Sequence, residues 1–144
     1  MIVTYALREV VAQNFSDQPG WFTAVHDPRI RVAVALMHQE PAFDWSVEEL
    51  ANRSGMSRTA FAERFRITMG HPPLAYLRTL RMQMAMRLLS ETDRTLEQVA
   101  AEVGYQDAFG FSKVFRRTVG VSPREFRLGA KRPPQGLDGG SVAS

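Results

Sequence analysis

The chain contains no cysteine, which removes disulfides, thiolate zinc sites and cysteine nucleophiles together. Histidine is nearly as scarce: His26, His38 and His71 are scattered, with no partner at metal-ligand spacing, and read as structural or solvent-facing. No apolar stretch approaches the roughly 20 residues that a membrane helix needs, and the start lacks a basic segment followed by an apolar signal core. The expectation is a cytoplasmic chain without membrane contact, cofactor or metal. A glycine-rich phosphate loop is also absent, since Gly70, Gly104, Gly110 and Gly120 fall in turns or helices. Charge of one sign is in small excess, +3 over 144 residues, so composition alone is weak evidence for an anionic partner.

What is present is a pattern written twice. Ser46-Val-Glu-Glu-Leu-Ala-Asn-Arg-Ser-Gly55 returns as Thr95-Leu-Glu-Gln-Val-Ala-Ala-Glu-Val-Gly104. Beyond each glycine, Phe61, Phe65, Arg66, Thr68, Gly70 and Pro73 return as Phe111, Phe115, Arg116, Thr118, Gly120 and Pro123. The offset is 49 before the turn and 50 after it, so the second copy carries one extra residue at the turn. Two helices joined by a short glycine-containing turn form a helix-turn-helix, which presents its second helix to the DNA major groove. Two copies imply one chain reading two groove segments. The charge excess lies here: residues 46–127 hold 13 Arg or Lys against 9 Asp or Glu, nearly all of the cations being arginine. Arginine offers bidentate phosphate and guanine contacts as well as charge.

Local signals set the element boundaries. Asp27-Pro28 is an N-cap followed by proline at the first helical position, and it predicts a helix from Pro28 to about Gln39, ended by Pro41. Ser46 with Glu49 and Thr95 with Gln98 read as capping boxes, Trp45 as a staple onto Leu50, and Ser122-Pro-Arg-Glu125 as a third box. Residues 73–91 carry no breaker after Pro73 and predict one continuous helix, about 28 Å long at 1.5 Å per residue and thus close to one DNA turn. Its methionines read as gap fillers. Residues 2–15 place Val3, Leu7, Val10, Val11 and Phe15 at helical spacing, and the glycines and prolines after Phe126 predict a flexible tail.

Dividing each second helix at 100° per residue separates two faces. With Phe61 inward, Phe65 and Thr68 share its side, and Thr59, Ala62, Glu63 and Arg66 point away. With Phe111 inward, Phe115 and Thr118 join it, and Phe109, Ser112, Lys113 and Arg116 point away. Arg66, Arg116 and Lys113 suit phosphates or guanine O6/N7, Glu63 suits cytosine N4, and Thr59 and Ala62 suit a thymine methyl. Phe109 either stacks on a thymine methyl or deoxyribose, or tucks sideways into the core beside Gly110. Arg58, Arg64, Arg117 and Arg124, at the margins, are either phosphate contacts or solvated cations.

Taken in order, Ala51 and Gly55, Phe61 and Phe65, Gly70-His-Pro-Pro-Leu-Ala-Tyr-Leu77, the Arg81-Met helix ending in Leu88-Leu89, Val99-Ala-Ala-Glu-Val-Gly-Tyr105, Phe111-Ser-Lys-Val-Phe115 and Gly120-Val-Ser-Pro123 resemble the DNA-binding domain of AraC/XylS-type bacterial transcription regulators. The resemblance spans about residues 27–128. It implies an all-α fold of seven helices, homeodomain-like: a first helix-turn-helix at about 46–69, a linker helix at 73–91 and a second helix-turn-helix at about 95–118. It also implies two recognition helices in successive major grooves; because the two outward faces differ, the duplex site is expected to be non-palindromic. Carried over by position, base contacts fall on Thr59, Ala62, Glu63, Ala108, Phe109, Ser112 and Lys113, and phosphate or base contacts on Arg58, Arg66 and Arg116. Where many members read Tyr-Glu-Ser-Glu-Ala-Ala-Phe-Ser-Arg, this chain reads Tyr105-Gln-Asp-Ala-Phe-Gly-Phe-Ser-Lys113, losing acidic side chains and gaining Phe109. Some relatives are fused to alkyl-transfer repair modules that need a cysteine acceptor, which this chain lacks.

Residues 1–26 read as the remnant helix and linker of an amino-terminal sensor or dimerisation domain of the cupin-type branch, and 129–144 as a flexible tail. RNA polymerase and a homodimer through residues 1–15 are further expected partners. The alternative function is a protein-interaction module that pairs through the amino-terminal helix with itself or with a full-length regulator.

Overall fold

The computed structural model describes residues 26–131, and within them seven helices form, four of which start at caps read from the sequence, Asp27, Ser46, Thr95 and Ser122. In α1 (Pro28–Gln39), the Asp27 carboxylate accepts the Arg29 amide at 3.0 Å and the Ile30 amide at 3.5 Å, satisfying donors that a helix start leaves open. Ile30, Ala33, Val34 and Met37, spaced at one face of a 3.6-residue period, are fully buried. The next elements are α2 (Val47–Arg53), α3 (Arg58–Met69), α4 (Pro73–Glu91), α5 (Leu96–Glu102), α6 (Ala108–Val119) and α7 (Pro123–Lys131). Four residues separate α2 from α3 and five separate α5 from α6, which is where the extra residue of the second copy sits. No strand occurs among the described residues.

Two of the three capping boxes close in both directions. Thr95 and Gln98 exchange bonds of 3.1 and 2.9 Å, and Ser122 and Glu125 exchange bonds of 3.1 and 3.0 Å. The Ser46 hydroxyl accepts the Glu49 amide at 3.0 Å, but the Glu49 carboxylate turns forward to Arg53 at 2.9 Å. An ion pair one turn along the helix therefore replaces the return half of that box. Trp45 and Leu50 are both buried in the core, as a staple requires, and the Trp45 indole N–H donates to the Glu40 carbonyl at 2.8 Å.

The repeat extends further in three dimensions than the matched letters suggest. On α3, Phe61 and Phe65 lie 5.6 Å apart, and Tyr76 of α4 meets Phe65 edge-on at 5.7 Å and 75°. On α6, Phe111 and Phe115 lie 5.6 Å apart, and Phe126 of α7 meets Phe115 at 5.7 Å and 72°. Each unit is thus three helices around an aromatic triplet, with the start of α4 doing for α2 and α3 what α7 does for α5 and α6. All four phenylalanines of the recognition helices are fully buried, each contributing roughly 1.5–3 kcal/mol of transfer free energy.

Because α4 serves both units, its buried residues do not form one stripe. Leu77, Leu80, Met82, Ala85, Met86 and Leu89 are buried, yet Leu74 is 40% exposed. Its main contacts run to α3, α5, α6 and α7. At its carboxyl end, Arg127 donates to the Leu89 carbonyl at 3.0 Å and the Thr92 carbonyl at 3.3 Å, and Lys131 reaches Thr92 and Asp93. These bonds to otherwise open carbonyls keep α7 helical through Lys131, beyond the point after Phe126 where local order signals cease. The tail expected at 129–144 is thus corrected at residues 129–131, which are helical; its remaining part, 132–144, and the expected helix at 2–15 lie outside the described residues.

Tyr76 also ties α4 to α1, its hydroxyl 2.9 Å from His38 Nε2. Burial lowers the His38 pKa from 6.5 to about 4 and raises that of the Tyr76 phenol. A folded-state pKa below the unfolded one means that the fold favours the neutral ring. That contribution is whole above pH 6.5 and is lost as pH falls towards 4. Thermal melting across that window should show a smaller drop in midpoint for His38→Gln than for the native chain; parallel curves would contradict it. The turn glycines offer a second check. Gly55 and Gly104 both hold left-handed backbone, φ 72° and 98°, but a Cβ on Gly55 would meet open space while one on Gly104 would lie 2.8 Å from Arg81 Cζ. Gly55→Ala should cost about 1–2 kcal/mol of backbone strain and Gly104→Ala more, measured by urea unfolding.

Candidate nucleic-acid interface

The two second helices start on caps absent from the sequence reading. The Ser57 hydroxyl accepts the Ala60 amide at 3.2 Å, and the Asp107 carboxylate accepts the Gly110 amide at 2.7 Å. The signal was present, a Ser and an Asp each one residue before a helix, but neither belongs to a complete box. Capping fixes where α3 and α6 begin, and the buried phenylalanines fix how each is rotated about its axis. Thr59, Glu63 and Arg66 of α3 are consequently exposed and Ala62 half-buried. On α6, Phe109, Lys113 and Arg116 are exposed, and Ala108 and Ser112 are half-buried.

All five residues expected on the first helix come together. Arg58, Thr59, Ala62, Glu63 and Arg66 line an open cleft of about 390 Å³ together with Pro72 and Pro73 at the start of α4. Two guanidinium groups and one carboxylate thus face a single concavity with a small hydroxyl and a methyl between them. That set offers donors for phosphate or guanine and one acceptor for cytosine N4.

The second helix presents a different surface. Phe109 is 74% exposed, so of its two possible placements the outward one is adopted. The reason is geometric: Phe111 and Phe115 already occupy the inward side of α6. Lys113 Nζ rests 5.1 Å from the centroid of the Phe109 ring, a cation–π contact one turn along the helix. This pair presents an apolar plate and a cation together.

The marginal arginines divide. Arg64 is ion-paired to Asp27 at 3.2 Å, which draws it toward the cap of α1. Arg58, Arg66, Arg116, Arg117 and Arg124 are exposed, and none forms an ion pair with a described residue. Arg116 nonetheless influences Glu125, whose carboxyl is held below its usual range first by the Ser122 amide and then by smaller effects including this guanidinium. Among the described residues, no group of three or more His, Asp or Glu is disposed to hold a metal ion, and no helix is long and apolar enough to cross a membrane.

Comparison with known proteins bears on this geometry. A family described as a helix-turn-helix domain matches residues 50–129. A putative AraC-like transcription regulator of Streptomyces lividans is 37% identical over 108 residues, covering 75% of this chain and 36% of the relative. The transcriptional regulator AlkR of Acinetobacter baylyi is 36% identical over 121 residues, covering 84% and 39%. The chain therefore spans well under half the length of these relatives. Among solved structures, the DNA-binding domain of AdpA, in complex with a target DNA, aligns with a TM-score of 0.69 at 35% identity, covering 74% of this chain and 97% of that one. An AraC-type regulator from Chromobacterium violaceum aligns with a TM-score of 0.67 at 28% identity, covering 74% and 95%.

The opposite fates of two neighbouring rings provide a check on the interface. Phe109→Ala should change stability by no more than about 0.5 kcal/mol, as for an exposed side chain, whereas Phe111→Ala should cost about 3–5 kcal/mol by leaving a cavity. Chemical denaturation of the two variants measures both, and a comparable loss for Phe109→Ala would place that ring in the core.

Proposed function

The chain belongs to the AraC-type family of helix-turn-helix domains, and on that premise we propose that it binds duplex DNA sequence-specifically, with α3 and α6 in successive major grooves, as part of a bacterial transcription regulator. One observation carries the reading: two equivalent three-helix units expose the outer faces of their second helices, and those faces hold the residues suited to base edges and phosphates. Thr59, Ala62 and Glu63 read bases in one groove, and Ala108, Phe109, Ser112 and Lys113 in the other. Arg58, Arg66 and Arg116 contact phosphates or bases. The site is non-palindromic because the faces differ in chemistry, one holding a carboxylate between arginines and the other a phenyl ring beside a lysine.

The proposed activity is binding rather than catalysis, exercised in the cytoplasm, where bacterial DNA lies. Contact with RNA polymerase and self-association through residues 1–15 form the finer part of the proposal. The reading of the chain as a pairing module draws no support from the relatives, and its motivating segment lies outside the described residues.

Selection of bound sequences from random duplexes is expected to return a two-part motif with its halves about one helical turn apart. Affinity for that duplex should fall steeply with salt as phosphate contacts release counterions, and Arg66→Ala and Lys113→Ala should each weaken it by about 1–3 kcal/mol if they contact bases. Fluorescence anisotropy at two salt concentrations reads all of this. Flat salt dependence with no preference over random DNA would overturn the proposal.

A further inference from the structure

Arg81, midway along α4, joins three parts of the molecule that are distant in sequence. Its Nε donates to the Pro41 carbonyl at 2.7 Å and its Nη2 to the Phe43 carbonyl at 2.8 Å, both in the connection between α1 and α2. On its other side the guanidinium carbon lies 5.6 Å from the centroid of the Tyr105 ring, in the turn between α5 and α6. Gly104 brings the backbone of that turn so close that a Cβ there would lie 2.8 Å from the same carbon.

Each end of this bridge is anchored to one of the two units. The Phe43 ring packs 4.4 Å from Trp45, and Arg53 of α2 sits over both rings at 5.8 and 5.3 Å. In the second unit, Tyr105 packs 5.9 Å from Phe111, the inward ring of α6. A contiguous path therefore runs from α2 through Trp45 and Phe43 to Arg81, and on through Tyr105 and Phe111 to α6. None of the main helix–helix contacts joins α1, α2 or α3 directly to α5, α6 or α7. The relative placement of the units thus depends on α4 and on what crosses it. A guanidinium suits the crossing because it is planar: its edge donates to two carbonyls while its face remains available to an aromatic ring. An ammonium has no such face.

We infer that Arg81 is a positioning residue that sets the separation and orientation of the two recognition helices, and through them the spacing between the halves of the DNA site that the chain accepts. The first part stands on the geometry alone, and the second rests on the DNA-binding reading above.

The absence of native cysteine allows spin labels to be introduced at two defined sites of the full chain. Glu48→Cys and Glu97→Cys occupy equivalent exposed positions in the first turns of α2 and α5. Pulsed electron spin resonance should give one narrow distance distribution with Arg81 in place, a broadened or displaced one with Arg81→Met, and an intermediate one with Arg81→Lys. Circular dichroism establishes that each variant is folded. A folded Arg81→Met with an unchanged distribution overturns the positioning role. If that variant does not fold, Arg81→Lys and Tyr105→Leu, each removing part of the clamp, are judged by the same criterion.

In the second measurement, unlabelled protein is titrated with the selected duplex and with one carrying an additional base pair between its halves. The insertion should weaken binding by the native chain about ten-fold or more, comparable to disrupting contacts at one base pair, and should weaken binding by Arg81→Met much less. Equal penalties in the two proteins overturn the spacing role. A native chain that prefers no sequence, together with a broadened distance distribution in Arg81→Met, overturns the DNA-binding reading and supports the positioning role.

Discussion

The rest of the structure depends on the burial of two phenylalanines, four residues apart, on each recognition helix. Phe61 with Phe65, and Phe111 with Phe115, are fully buried, and each pair is locked from above by a third ring, Tyr76 or Phe126, in an edge-on arrangement. A helix with two large rings committed to the core has its rotation fixed, because turning it would expose both at once. The opposite face must then point to solvent whatever residues it carries. Recognition chemistry can differ between the two helices without disturbing the frame that presents them.

The central helix converts two such frames into one object. A helix of 19 residues that packs on elements at both ends has little surface left to discard, which explains why its buried positions depart from a single stripe. Its ends are treated differently. The start has no side-chain cap and relies on Pro72 and Pro73, whereas the finish has its carbonyls taken by Thr92, Arg127 and Lys131. The long basic side chains of α7 thus lock the second unit onto the helix it shares with the first. Arg81 contributes at the middle what those residues contribute at the end, a set of directed polar contacts added to non-directional apolar packing.

Polar pairing also determines which cations remain available to a partner. Arg53, Arg64 and Arg94 are matched to Glu49, Asp27 and Glu102 on the surface, where such pairs contribute little stability but hold side chains in place. Arg58, Arg66 and Arg116 on the recognition helices have no such partner. A chain with a net charge of only +3 thereby keeps guanidinium groups available on the outer faces of both helices.

Much of the helical frame was legible in the sequence because the responsible physics is local. Thr95 with Gln98, Ser122 with Glu125, Asp27 before Pro28, and the paired phenylalanines act over three or four residues, so their spacing reveals boundaries and inward faces. The residues proposed for the interface could be listed for the same reason, since an outward face is the complement of an inward one. Where the local signal allowed two answers, distant atoms chose between them. Glu49 turned to Arg53 instead of closing its box, Phe109 faced outward because the inner side of its helix was already occupied, and α7 continued to Lys131 because the carbonyls of Leu89 and Thr92 were within reach. Tyr76 and Phe126 are both aromatic and stand at the same offset of 50 as Pro73 and Pro123, but their shared packing role emerged only when each was seen against its phenylalanine. Composition and spacing determined the elements, their caps and the divergence of the two outer faces. Tertiary structure alone decided how the units are held together, because the contacts of Arg81 with Pro41, Phe43 and Tyr105 join residues that local periodicity cannot relate.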